Sequence, residues 1–117
     1  MIFERAQELG RLVGQSGEYK ALQRARERLG EEPELKTSLD RLRDLSELLE
    51  RMAAQGEEPT PEQVNEYDSL LGTIQSNSLY QGVVAAQANF DKMMLRVNEQ
   101  ILDGMKKGSA SSIITLG

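Results

Sequence analysis

The sequence has no histidine, no cysteine and no tryptophan among its 117 residues, and each gap closes off chemistry. Without His and Cys there is no Ser-His-Asp or Cys-His nucleophile system within one subunit, and the usual zinc and iron–sulfur ligand sets are missing. Disulfides are excluded with them. Aromatic residues make up only 4%, which leaves little for stacking the bases of single-stranded nucleic acid. The apolar mass falls to Leu, Ala, Val, Ile and Met, a set suited to helices packed side by side rather than to sheets. No apolar run approaches the roughly 20 residues that cross a bilayer, and the opening Met1-Ile2-Phe3-Glu4-Arg5 meets charge too early for a signal peptide. The expectations are a cytoplasmic protein, no membrane insertion, no cofactor and no metal. No Asp-rich loop with EF-hand spacing is present, since the acidic residues are scattered at helical intervals.

What is there is charge and helical periodicity. Charged residues are 28% of the chain and the net charge is −5, with a pI near 4.8, a field that repels nucleic acid; direct nucleic-acid binding is not expected. The length fits one domain able to bury about two-thirds of its unfolded surface. Ile2, Phe3, Ala6, Leu9 and Val13 recur at helical intervals until Ser16-Gly17 breaks the pattern, so a first helix ends near Gln15. Tyr19, Leu22, Ala25 and Leu29 continue on a second helix, which Gly30 closes as a C′ residue. Pro33 opens a third, carrying Leu35, Leu39, Leu42, Leu45, Leu48, Leu49 and Met52 to about Gln55, with Gly56 as its stop. Thr60-Pro61-Glu62-Gln63 reads as a capping box with Pro at the first helical position. The fourth helix then presents Val64, Tyr67, Leu70, Leu71 and Ile74 up to Gln75.

After Ser76-Asn77-Ser78 one apolar seam runs through Leu79, Val83, Ala86, Phe90, Met93, Val97 and Ile101, its gaps alternating between four and three as far as Val97 and ending on a further four. That alternation keeps one face of a helix toward one neighbour, and a helix from Asn77 to Gly108 is roughly 45 Å long. Its length exceeds what the other segments can cover, so the seam is a candidate self-association or partner face and the chain is predicted to be a homodimer. The fold class is all-α: about five helices in antiparallel hairpins or a bundle, with a long C-terminal helix. Residues 1–108 form a single helical domain, and 109–117 a flexible tail with an apolar end.

Lys20, Arg24 and Arg28, four apart, form a basic stripe on the second helix, with Arg26 to one side; Glu57, Glu58, Glu62, Glu66 and Asp68 gather where no basic residue occurs between Arg51 and Lys92. Either set, and Glu57 and Glu58 above all, is a candidate charged surface for a protein partner, although solvated helix faces look the same. Glu62 and Glu66 share a face but lack the apolar pocket that tunes a catalytic carboxylate pair. Met93 belongs to the seam, while Met94 and Met105 are candidates for an adaptable contact.

Ser16-Gly17-Glu18-Tyr19-Lys20, Pro33-Glu34-Leu35-Lys36, Gly56-Glu57-Glu58-Pro59-Thr60, Gln75-Ser76-Asn77, and Phe90 with Val97-Asn98 and Ile101 follow one another in an order that resembles the YlbF/YmcA family of small bacterial helical proteins. The chain looks closest to the short, cysteine-free YheA-like members. The resemblance implies a self-associating helical fold and a non-enzymatic regulatory adaptor. Relatives act in complexes that steer messenger RNA processing and serve competence, sporulation and biofilm programmes. Some relatives carry a cysteine-rich tail that helps hold iron–sulfur clusters, and this sequence has no cysteine. The alternative is a structural or chaperone-like helical dimer without a dedicated partner.

Overall fold

A computed structural model describes the backbone of residues 1–116 and the side chains of residues 1–110. It contains five helices, α1 (Ile2–Gly14), α2 (Gly17–Gly30), α3 (Pro33–Ala54), α4 (Pro61–Gln75) and α5 (Ser78–Leu116), and no strand among the described residues. Local chemistry sets most of the boundaries. The Ser16 hydroxyl accepts from the Tyr19 amide at 3.1 Å and starts α2. At α4 both arms of the capping box are made: the Gln63 amide donates to Thr60 Oγ1 at 3.1 Å, and the Thr60 amide donates to Gln63 Oε1 at 2.8 Å. Asn77 Oδ1 accepts from the Leu79 and Tyr80 amides at 2.9 and 3.1 Å, capping α5.

Gly56 ends α3 as the sequence predicts. Its φ of +76° is left-handed, and the amides of Glu57 and Gly56 donate back to Met52 and Ala53, the paired bonds of a Schellman motif. Gly30 behaves differently from expectation. It is the last residue of α2, and the right-handed Glu31 follows it as the cap, so the turn is made without a left-handed residue. Gly108 does not end α5 either; the helix continues to Leu116. A helical glycine costs only about 1 kcal/mol relative to alanine, and Ser109-Ala110-Ser111-Ser112 contains no proline to stop the helix. The apolar end of the expected flexible tail, Ile113 to Gly117, lies outside the residues whose side chains are described.

Connection length decides the packing. Gln15-Ser16, Glu31-Glu32 and Ser76-Asn77 are two-residue links that bend the chain, whereas residues 55–60 reverse it. The α3–α4 pair is thus an antiparallel hairpin, and its chain neighbours meet only slightly; the sequence expectation of antiparallel packing between successive helices holds there and not at α1–α2 or α2–α3. The most extensive contact is between α2 and α5. Tyr19 meets Phe90 with ring centroids 5.8 Å apart, and Arg26 donates to Gln87 at 2.8 Å, so position falls along α5 as it rises along α2 and the pair is antiparallel. Leu22, Leu35, Leu45, Ile74 and Ala86 are the buried apolar residues.

This is a small core for a long molecule, 70 × 37 × 20 Å with a radius of gyration of 21.6 Å, where a compact chain of this length has about 13 Å. At 1.5 Å per residue α5 is about 58 Å long and α2 about 21 Å, so α2 covers roughly a third of it. The accessible surface is 9216 Å², about 2,800 Å² more than a compact monomer of this mass exposes.

Candidate functional site

The seam residues of α5 fall into three zones. Ala86 is buried; Leu79, Val83, Phe90, Met93 and Val97 are half-buried; Ile101 is 46% exposed. The first part of the predicted self-association face is therefore internal packing against α2 and its neighbours, and the seam opens to solvent toward its end. From Asn98 to Ala110 every residue of α5 is exposed.

Opposite that open stretch stands α1. It has no buried residue and packs slightly on α2 alone among the helices. Between α1 and α5 lies a groove of about 930 Å³ lined by Leu9, Met93, Val97 and Ile101, with Glu18, Lys92 and Arg96 among the polar residues at its sides. Packed helices lie 8–10 Å apart, and α1 makes no such contact with α5, so two apolar walls face each other across an unfilled wedge.

A second stripe runs along the back of α5. Val84, Ala88, Asp91, Leu95, Asn98, Leu102 and Met105 repeat the four–three alternation about half a turn from the seam. Leu95 is 60% exposed and Met105 63%; Val84 and Leu102 are exposed with them. The same count of spacings reveals this stripe in the sequence, but Asp91 and Asn98 interrupt it and hide it from a search for continuous apolar positions. Met94 is half-buried.

The charged candidates stay apart. Lys20, Arg24 and Arg28 are exposed along α2 with no carboxylate within 4 Å among the described residues, while Glu57 and Glu58 are exposed in the α3–α4 loop. No hydrogen bond or ion pair joins the two groups. Glu66 is drawn into structure instead: Arg41 of α3 donates to it through Nε and, at 3.0 Å, through Nη2. This bidentate bond holds the Glu66 carboxyl below its ordinary value and raises Arg41. Among the described residues no group of three or more His, Cys, Asp or Glu could hold a metal ion, and no helix is long and apolar enough to cross a membrane.

A family model described as control of competence regulator ComK, YlbF/YmcA, matches residues 2–106. The chain belongs to the YlbF/YmcA family. That family is a regulatory one, and its match spans both the wedge and the seam. No curated protein matches the chain. Among solved structures, the chain is similar to a protein of unknown function (DUF964) from Bacillus stearothermophilus, with a TM-score of 0.64 at 15% identity, over 90% of this chain and 92% of that one. Identity so low speaks for the fold alone. For this YlbF/YmcA member the surfaces themselves must carry any finer reading.

Proposed function

We propose that this chain is a non-enzymatic regulatory adaptor of the cytoplasm that forms a homodimer and presents a remaining apolar face to a protein partner. The observation supporting it is the uncovered apolar surface on two sides of α5, one facing α1 across the wedge and one along Val84, Leu95, Leu102 and Met105. Exposed apolar residues gathered on one helix face are a common mark of association sites. Membership of a family tied to the control of ComK supports a regulatory setting, and the family resemblance extends that setting to RNA processing or decay and to competence, sporulation and biofilm programmes.

The test is affinity capture from host cells by the wild type and by Leu95→Glu/Leu102→Glu. Both side chains are exposed, so helicity is expected to stay unchanged while a defined, saturable set of captured proteins is lost. Unchanged capture removes the back stripe from the reading. Broad, unsaturable binding of apolar segments returns the chain to a structural or chaperone-like dimer. Turnover by the isolated protein that a single carboxylate substitution abolishes overturns the non-enzymatic assignment. Lys20→Glu/Arg24→Glu/Arg28→Glu separates out the basic stripe, where loss of capture should depend on salt.

A further inference from the structure

We propose that the back stripe of α5 docks an amphipathic helix of a different protein, one whose own apolar line repeats the four–three alternation and carries a basic residue opposite Asp91. This names the kind of partner that the apolar face takes, and it rests on the adaptor reading.

Three observations lead there. The first is periodicity. From Val84 to Met105 the stripe keeps the four–three alternation through three heptads without a slip, about 32 Å of helix, and every residue on it is exposed. A repeat sustained over that length keeps one line of a helix turned toward a second helix and suits knobs-into-holes packing.

The second is the pair of polar residues inside the stripe. Asp91 and Asn98 are seven apart, at equivalent points of successive heptads. Polar residues in such a line cost stability and decide which partner fits and in what register. Asp91 is also held in place: Arg26 of α2 donates to Gln87 Oε1 at 2.8 Å, and Gln87 Nε2 donates to Asp91 Oδ1 at 2.9 Å. Its carboxylate has no cation within 4 Å among the described residues. A helix laid over it must bring one, because a carboxylate covered without a counter-charge is costly. A second copy of the stripe does not supply it. The stripe contains no basic residue, so two stripes pressed together set Asp91 against another carboxylate, an amide or an apolar side chain.

The third is the flank. Lys92, Glu99 and Lys106 recur every seven residues immediately beside the stripe. All three are exposed and make no ion pair among the described residues, although Lys107 is paired with Asp103 at 3.0 Å. Charges at that point of a heptad set partner choice and direction. The series positive, negative, positive fits acidic, basic and acidic residues along one edge of the incoming helix. The other edge of the stripe, Gln87, Met94 and Ile101, is uncharged, so the charge matching falls on one side.

Synthetic helical peptides provide the test. They carry leucine along the apolar line except for a Lys and an Asn seven apart, with acidic, basic and acidic residues on one edge. Each is made with Lys and Asn in both orders, which tells parallel from antiparallel seating, and again with Glu in place of Lys. Fluorescence anisotropy of the labelled peptides against the full chain gives the affinities. One order of the Lys peptide should bind at least about tenfold more tightly than its Glu counterpart, and Asp91→Lys should reverse that preference with helicity unchanged. Equal affinity for the two peptides, or a preference that survives Asp91→Lys, overturns the proposal. If no peptide binds while Leu95→Glu/Leu102→Glu still loses its captured host proteins, the stripe stands as a partner face and the helical occupant is wrong. If neither effect is seen, both readings of the stripe fall. A lower particle mass for Leu95→Glu/Leu102→Glu assigns the stripe to contact between copies and overturns the proposal as well.

Discussion

The hairpin end and the wedge end of the molecule are built from similar residues and do opposite things with them. Around α3 and α4, Leu35, Leu45 and Ile74 are buried, two helices face each other, and a Schellman turn and a capping box fix the reversal between them. At the other end α1 and distal α5 carry Leu, Ile, Val and Met in helical register and bury none of them. The difference is partner length: α4, with 15 residues, spans about two-thirds of the 22-residue α3, whereas α2, with 14, spans about a third of the 39-residue α5. Folding stability is thereby concentrated at one end and surface for association at the other.

The largest test of that contrast pairs Leu45→Ala with Leu9→Ala. Leu45 is 1% exposed, so its truncation leaves a cavity and should cost about 3 kcal/mol in urea unfolding. Leu9 packs on little in its own subunit, and in dilute protein its truncation should cost under about 0.5 kcal/mol. Equal losses for the two variants would mean that the wedge is core. Next in size is the effect of concentration. Folding coupled to dimerisation adds about 1.4 kcal/mol of apparent stability per tenfold rise in protein concentration; if the seam is the self-association face, the thermal midpoint should climb with concentration in the wild type and stay level in Val97→Glu/Ile101→Glu.

The sequence revealed more of the first end than of the second, for physical reasons. Ser16, Pro33, Gly56, Thr60-Pro61 and Asn77 act within one turn of themselves, so the ends they set are legible directly, and the boundaries near residues 15, 30, 55 and 75 follow from them. The pairings of Arg26 with Gln87 and of Tyr19 with Phe90 join residues more than 60 apart in sequence, and no local pattern states them. This is why the seam looked like a single outward face, although its first half packs internally. Gly108 does not stop α5 for a related reason: glycine permits a stop but does not impose one. The back stripe is masked in the sequence because Asp91 and Asn98 occupy two of its seven positions.

A smaller effect tests the order of the hairpin end. Thr60→Ala removes the hydroxyl acceptor for the Gln63 amide and leaves the N-terminus of α4 without its reciprocal bonds. The expected loss is about 1 kcal/mol, seen as a lower urea midpoint with unchanged slope and an unchanged particle mass in solution. If the mass falls as well, the two ends are not independent.

The smallest expected effect comes from the ion pair that ties α3 to α4. Arg41 donates two hydrogen bonds to Glu66, and these, followed by the attraction between the two charges, hold the Glu66 carboxyl below its ordinary value near 4.5. A carboxyl that is more acidic folded than unfolded binds its proton first in the unfolded chain. Its stabilisation is therefore complete above about pH 5 and is lost as the pH falls through the depressed value. Arg41 is raised at the far alkaline end and adds no slope in this window. Both side chains are about half exposed, and pairs of that kind contribute little. Glu66→Gln should accordingly be slightly less stable than the wild type at pH 7, with the difference closing between pH 5 and pH 3 while every other carboxylate titrates equally in both chains. Urea midpoints measured across that range decide it. A difference that persists unchanged at pH 3 would assign the loss to packing of the Glu66 side chain rather than to its charge.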